Sequence, residues 1–279
     1  MVPGIGAASV QQINLLISTQ IASTNDSSIS YIYYADRLNQ FPLGMIGIAL
    51  GVSLLPTISR QIGANDRAKA GETLGDGVNI GMLLTIPAAV ALGVMPFELV
   101  HSTFGYGNST LEGSQETAKV LAAFALGLPA YVLIRVLQTG FFAQKDTKRP
   151  MKYGIVTVGV NILMSFLLFP TYKHVGLGIT TSIAGWVNVV LLLIGLRGLF
   201  SFNRARWMKM GRIALASVAM AAVVMVASHF CEPWIMGAMW QRLTALAVII
   251  GSGLTSYALA ALLLRATSLG ELRHYLKGA

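Results

Sequence analysis

Eight long apolar stretches follow one another along this chain of 279 residues, separated by short polar segments. A run of about 20 apolar residues spans the roughly 30 Å hydrocarbon core of a bilayer as a helix. The pattern therefore predicts an all-α, polytopic membrane protein with eight transmembrane helices, at 2–23, 31–59, 78–100, 118–142, 152–170, 175–198, 211–230 and 242–265.

Composition excludes a soluble domain. Charged residues make up 11% of the chain and the mean hydropathy is +0.66, whereas soluble domains carry about 25% charged residues. The net charge of +9 comes from cations dispersed among short loops, so we expect membrane lipids and no nucleic acid as partners. A lone cysteine, Cys231, and four scattered histidines exclude a disulfide and a zinc site, and we expect no metal and no cofactor.

The distribution of the cations predicts the topology. Eight spans place both termini on one side, and the loops on that side hold 15 of the 20 Lys and Arg residues. The opposite side holds Arg37, Lys119, Lys173 and Arg242, and Arg135 lies inside a span. The positive-inside rule then places both termini in the cytoplasm. No Lys or Arg precedes Arg37, so the first apolar run lacks the positive start of a cleaved signal peptide.

Charge and aromatic residues also divide the chain. The segment 199–212 combines both and is typical of an interfacial linker, which gives a six-helix lobe at 1–198, the linker at 199–212 and a two-helix segment with a cytoplasmic tail at 213–279. Between the second and third spans, Arg67 to Leu74 is predicted as a short surface helix in a cytoplasmic connector.

Arg37 is the first candidate binding residue. It lies near the outer mouth of a predicted helix that is longer than a bilayer core requires, and Arg favours planar, bidentate partners such as phosphate. Asp36 is adjacent in sequence and faces elsewhere on the helix, so it is not expected to pair with Arg37. The alternative is an arginine that snorkels to the interface beside the tyrosines that precede it.

Arg135 is the second candidate, because it interrupts an apolar stretch about 15 Å along the helix from the cytoplasmic cluster at Lys145. We expect it to face a cavity or a partner, with snorkelling as the alternative. Asn161 and Ser165 share a helix face, and Thr181 lies in the next span. Their neutral oxygens suit either a monovalent cation or, more commonly, hydrogen bonds between helices. His174 is expected in a solvated turn between Pro170 and Gly176.

No catalytic constellation occurs in the sequence. The hydrolase, zinc-protease and phosphate-loop motifs are absent, and the few carboxylates fall mostly in loops. We therefore expect that the protein is not an enzyme.

Several motifs resemble those of the MurJ/MviN family of lipid II flippases, at 33–38 (YYADRL), 41–44 (FPLG), 47–51 (GIALG), 54–56 (LLP), 144–152 (QKDTKRPMK) and 174–177 (HVGL). The resemblance implies a multidrug/oligosaccharidyl-lipid exporter fold, with two six-helix lobes around a cavity and two further helices that form a groove for the lipid tail. This chain resembles the second lobe plus the groove pair, and the N-terminal lobe is missing. The implied location is the bacterial cytoplasmic (inner) membrane.

The resemblance also implies roles for residues. Arg37 matches a family arginine that engages the diphosphate and sugar portion of lipid II, the undecaprenyl-diphosphate-linked disaccharide peptide, and Arg135 occupies a position where relatives also place a basic residue. We assign substrate binding to Arg37, Arg135 and Asp36. Some relatives hold sodium with carboxylates on the corresponding helices, whereas Asn161, Ser165 and Thr181 carry no charge.

The resemblance implies alternating access, in which two lobes rock about a cavity while the prenyl tail stays in lipid. Half a transporter needs a second lobe for this, supplied by another polypeptide, by self-association or by a longer gene product. Two alternatives stay open: export of another polyprenyl-linked glycan or an amphipathic drug, and a non-transporting membrane scaffold or remnant.

Overall fold

The computed structural model describes residues 28–105, 110–200 and 204–266, and every regular element in these ranges is a helix. Six helical stretches there are long and apolar enough to cross a membrane, at 29–63, 67–94, 111–143, 148–195, 204–235 and 239–263. The elements are α1 (Ser28–Pro42), a π-helical segment (Leu43–Ile48), α2 (Ala49–Gly63), α3 (Arg67–Val94), α4 (Pro96–Phe104), α5 (Leu111–Ala125), α6 (Leu128–Ala143), α7 (Lys148–Gly195), α8 (Arg204–Ile235) and α9 (Met239–Leu263). This confirms an all-α, multi-pass membrane protein.

The expected count of eight separate helices is not matched in the part of the chain that the structure describes. The predicted first span, 2–23, lies outside the described residues. The predicted spans 152–170 and 175–198 both lie within α7, which consists of two helices that meet at a kink at Lys173, where φ is 47° and ψ is −132°. The kink falls inside the predicted turn from Pro170 to Gly176, although helix continues up to Lys173 on one side and resumes directly after it on the other.

The prediction of a separate surface helix from Arg67 to Leu74 is wrong. Arg67 begins α3, which continues to Val94, and the Asp66 carboxylate caps it by accepting the Lys69 N–H at 3.1 Å. Ala70 and Leu74 are fully buried. The polar residues of this stretch hid its buried face, which carries the helix directly into the membrane span.

Other boundaries move at prolines. α3 ends at Val94 and Pro96 begins α4, so the predicted helix 78–100 is divided in two. The predicted helix 118–142 is likewise divided at Gly127, two residues before Pro129. Proline is favoured in the first turn of a helix, where its missing N–H needs no partner. α8 begins at Arg204, inside the predicted linker 199–212.

Four buried apolar clusters of the described residues hold the bundle together, and three of them define its layout. The largest joins α2, α3, α6 and α7 around Leu74, Leu137 and Leu192. A second packs α1 against α5, and a third places Met95 among side chains of the paired helices α8 and α9. One face of the long helix from α1 to α2 is not packed against other described residues. Its exposed apolar side chains recur at helical spacing, at Phe41, Met45, Ile48 and Val52.

Candidate functional site

Arg37 lies on the exposed side of α1, and its guanidinium is oriented by the preceding turn. Its Nη2 donates a hydrogen bond of 2.6 Å to the Tyr33 hydroxyl, and the guanidinium carbon stands 4.7 Å from the centroid of the Tyr33 ring. No carboxylate pairs with Arg37 among the described residues. A cation held on an aromatic ring without a neutralising partner is suited to an anionic ligand.

Asp36 forms no salt bridge with Arg37 among the described residues, as expected for neighbours on a helix, although the two charges interact electrostatically. Its half-buried carboxylate accepts a hydrogen bond from the Gln40 side chain and interacts electrostatically with Tyr131 of α6. Asp36 therefore faces the bundle, whereas Arg37 faces outward. The structure does not bring these two predicted binding residues onto one surface.

Arg135 is half-buried in α6 and lies across the π-helical segment. A Cβ added at Gly47 would stand 2.7 Å from Arg135 Cδ, so a larger residue at this position would force the Arg135 side chain to shift. Tyr131, one turn earlier in α6, is the residue near Asp36. Asp36 and Arg135 thus both lie along the seam between α6 and the long helix.

Asn161, Ser165 and Thr181 meet across the break of α7, as their spacing predicted. The Asn161 amide donates to Thr181 Oγ1 at 3.4 Å, Ser165 Oγ donates to Asn161 Oδ1 at 3.5 Å, and Ser165 lies 3.2 Å from Thr180 Oγ1. Asn161 and Ser165 are almost fully buried. These contacts match the interhelical alternative, and the described residues hold no group of three His, Cys, Asp or Glu side chains placed for a metal. Cation binding here stays a prediction.

His174 differs most from expectation. It is 8% exposed rather than solvated, and its Nε2 lies 2.8 Å from Glu116 Oε2 of α5. Its ring packs edge-on against Tyr31, at 5.2 Å between centroids, and Lys119 Nζ bonds Glu116 at 2.7 Å. This cluster joins α1, α5 and α7 beside the break at Lys173. Nothing in the spacing indicated it, because 58 residues separate His174 from Glu116.

Comparison with known proteins gives a consistent result. The profile of the family described as lipid II flippase MurJ matches residues 1–245. The probable lipid II flippases MurJ of Rhizobium tropici and Vibrio cholerae serotype O1 are 35% and 34% identical to this chain, over 99% and 98% of its length.

Solved structures agree with the sequence relatives. The lipid II flippase MurJ in an inward closed conformation matches 91% of this chain with a TM-score of 0.76 at 25% identity. A transporter of the MOP superfamily from Pyrococcus furiosus matches with a TM-score of 0.62 at 18% identity and so shares the fold. The chain covers 52% of the Rhizobium and Vibrio relatives and 52% of the MurJ structure, about half their length. It belongs to the MurJ family of lipid II flippases.

Proposed function

We propose that this chain is the C-terminal part of a flippase that moves lipid II across the bacterial cytoplasmic membrane for peptidoglycan synthesis. It acts as a transporter and not as an enzyme. The observation that carries the proposal is Arg37, a cation on a membrane-spanning helix that rests on Tyr33 and has no carboxylate partner in the described ranges. A diphosphate supplies the paired oxygens that a guanidinium binds best.

A second lobe completes the transporter in this proposal. The chain corresponds to about half of its relatives, and the long helix from α1 to α2 presents an uncovered apolar row at Phe41, Met45, Ile48 and Val52. Apolar surface of this extent on one helix face suits lipid or a packed partner. We propose that this face packs against an N-terminal lobe. We also propose, from the cation bias, that both termini lie in the cytoplasm.

The pair α8 and α9 is proposed to hold the prenyl tail. Residues 213–228 and 243–264 contain no Asp, Glu, Lys, Arg or His, so they offer a headgroup no charge. Their outer faces expose aliphatic side chains, among them Val218, Val226, Leu254 and Leu259. Such surface holds a prenyl chain by apolar contact rather than by polar recognition.

The test of Arg37 uses a matched arginine on the same long helix. Arg37→Ala, Arg37→Lys and Arg60→Ala are made in the chain, which is co-expressed with the part of the Rhizobium tropici relative that it does not cover. Arg60 is also exposed, and its side chain bonds only the Pro56 carbonyl at 3.4 Å. Flipping of fluorescent lipid II is measured in proteoliposomes.

We expect Arg37→Ala to abolish flipping and lipid II binding, Arg37→Lys to retain part of each, and Arg60→Ala to retain both. The lysine keeps the charge but cannot reproduce bidentate geometry. Unchanged flipping in Arg37→Ala would refute the assignment of Arg37.

A further inference from the structure

Pro87 leaves a gap in the hydrogen bonding of α3. Proline has no N–H, so the carbonyl of Leu83, four residues earlier, receives no helical hydrogen bond. Both residues are buried. Inside a membrane a carbonyl without a donor is costly, and a proline there is tolerated when a neighbouring group supplies one.

The missing donor comes from α9. The Tyr257 hydroxyl donates a hydrogen bond of 2.6 Å to the Leu83 carbonyl. The ring of Tyr257 packs beside the buried cluster of Leu83, Ile213 and Ala261, which lies between α3, α8 and the end of α9. The bond therefore joins the two-helix pair, α8 and α9, to α3 at the carbonyl that Pro87 leaves without its helical donor.

The other hydroxyl groups of α9 serve their own helix. The hydroxyls of Thr244, Ser252, Thr255 and Ser256 each donate to backbone carbonyls of α9 itself. Among the described residues, the other side-chain hydrogen bond from α9 to the six-helix part is that of Arg242, which donates to the Gly105 carbonyl at 2.9 Å. Arg242 and Tyr257 are 15 residues apart, or about 22 Å along the helix.

We infer that Tyr257 is a positioning residue for transport. Its hydrogen bond holds the α8 and α9 pair against α3 next to Pro87. α3 packs against α2, α6 and α8, so any bending of α3 at Pro87 moves Leu83 relative to α9. The bond holds one geometry of α3, and its release frees the helix to bend. The role in transport rests on the proposed flippase function, whereas the bond itself does not.

A double-mutant cycle on the full 279-residue chain tests the bond. Tyr257→Phe removes the hydroxyl, and Pro87→Ala restores an N–H that can reach the Leu83 carbonyl. We expect Tyr257→Phe alone to raise the equilibrium constant for unfolding in mixed micelles about tenfold, equivalent to about 1.4 kcal/mol, since it leaves a buried acceptor without a donor. In the Pro87→Ala chain the same change should alter that constant less than about twofold.

Two further variants keep the cycle interpretable. Pro87→Gly restores the same N–H if Pro87→Ala fails to fold, and Ser256→Ala removes a hydroxyl that serves only α9, so it should change little. An equal effect of Tyr257→Phe in both backgrounds would overturn the inference, because the hydroxyl would then stabilise the chain independently of the donor that Pro87 removes. This outcome needs no substrate and leaves the proposed function untouched.

The transport role has its own readout. In the reassembled transporter, Tyr257→Phe should lower the rate of lipid II flipping severalfold and leave lipid II binding unchanged, because Tyr257 touches α3 and not the Arg37 surface. An unchanged flipping rate would overturn the positioning role. Loss of binding would overturn it as well, since it would place Tyr257 in the substrate site.

Discussion

Replacing His174 with phenylalanine removes one hydrogen bond and keeps the ring packing. The His174 ring lies 5.2 Å from the Tyr31 ring, an arrangement that phenylalanine can retain. The bond that is lost joins Nε2 to the Glu116 carboxylate at 2.8 Å. The substitution therefore isolates the contribution of one hydrogen bond, between α5 and the residue that follows the kink of α7.

The size of the effect follows from burial. A hydrogen bond to a charged group contributes about 1.5–3 kcal/mol. The Glu116 side chain is 27% exposed and keeps Lys119 as a partner. Water and Lys119 can therefore partly satisfy the carboxylate oxygen that loses its bond to His174. We expect His174→Phe to lower the free energy of unfolding by about 1.5 kcal/mol, at the lower end of that range.

The assay is equilibrium unfolding in mixed micelles, with Glu116→Leu as the second member of a double-mutant cycle. Lys119→Met is the matched control, because Lys119 bonds the same carboxylate from a side chain that is 60% exposed. Exposed ion pairs contribute little, and we expect less than about 0.5 kcal/mol for Lys119. The reasoning is wrong if His174→Phe costs no more than Lys119→Met, or costs the same with Glu116 replaced.

Three further predictions concern other described residues. Lys173→Gly should raise the free energy of unfolding by about 1 kcal/mol, because glycine adopts a φ of 47° without steric cost; a lower midpoint of unfolding would contradict this. Burial, with the nearby Arg242 charge, lowers the pKa of His101, so its contribution to stability is complete above about pH 6.5 and is lost as the pH falls through the lowered pKa. The free energy of unfolding, measured across that pH range, should depend less on pH in His101→Asn. An unchanged pH dependence would refute the assignment. A cysteine at His229, whose side chain is 81% exposed, should react with an impermeant reagent from outside the cell in a Cys231→Ala chain, whereas native Cys231 is 7% exposed and should be protected; labelling at 229 only after permeabilisation would reverse the topology.

Hydropathy predicted the membrane-spanning character and most of the spans, because a long apolar helix is stable in a bilayer core whichever helices surround it. It placed the ends less well. The stretch from Arg67 to Leu74 is polar on one face and buried on the other, so its average hides the core-facing Ala70 and Leu74. The break at Lys173 was located to within a few residues, but hydropathy does not indicate that a single residue forms it.

The candidate site shows the same division. The helical spacing of Asn161 and Ser165 was enough to place them together, and the adjacency of Asp36 and Arg37 was enough to separate them. Contacts between distant segments were beyond reach, as with His174 and Glu116. The sequence indicates that Pro87 leaves the Leu83 carbonyl without a helical donor, yet nothing in it points to Tyr257, 174 residues later, as the replacement.

The π-helical segment sets the angular phase of the helix that carries Arg37. An α-helix turns about 100° per residue, and a wider turn takes up an extra residue without advancing the pattern of side chains beyond it. Leu54 and Ile58 hold α2 in one buried cluster and Ala35 holds α1 in another, so the segment matches the phases of two packed halves. Deleting Gly44, where an added Cβ would meet nothing within 4 Å, would return the helix to a single phase. One of the two halves would then have to turn by about 100°. If that half were α1, Ala35 would leave its buried cluster and Arg37 would face a different neighbour although its own sequence had not changed.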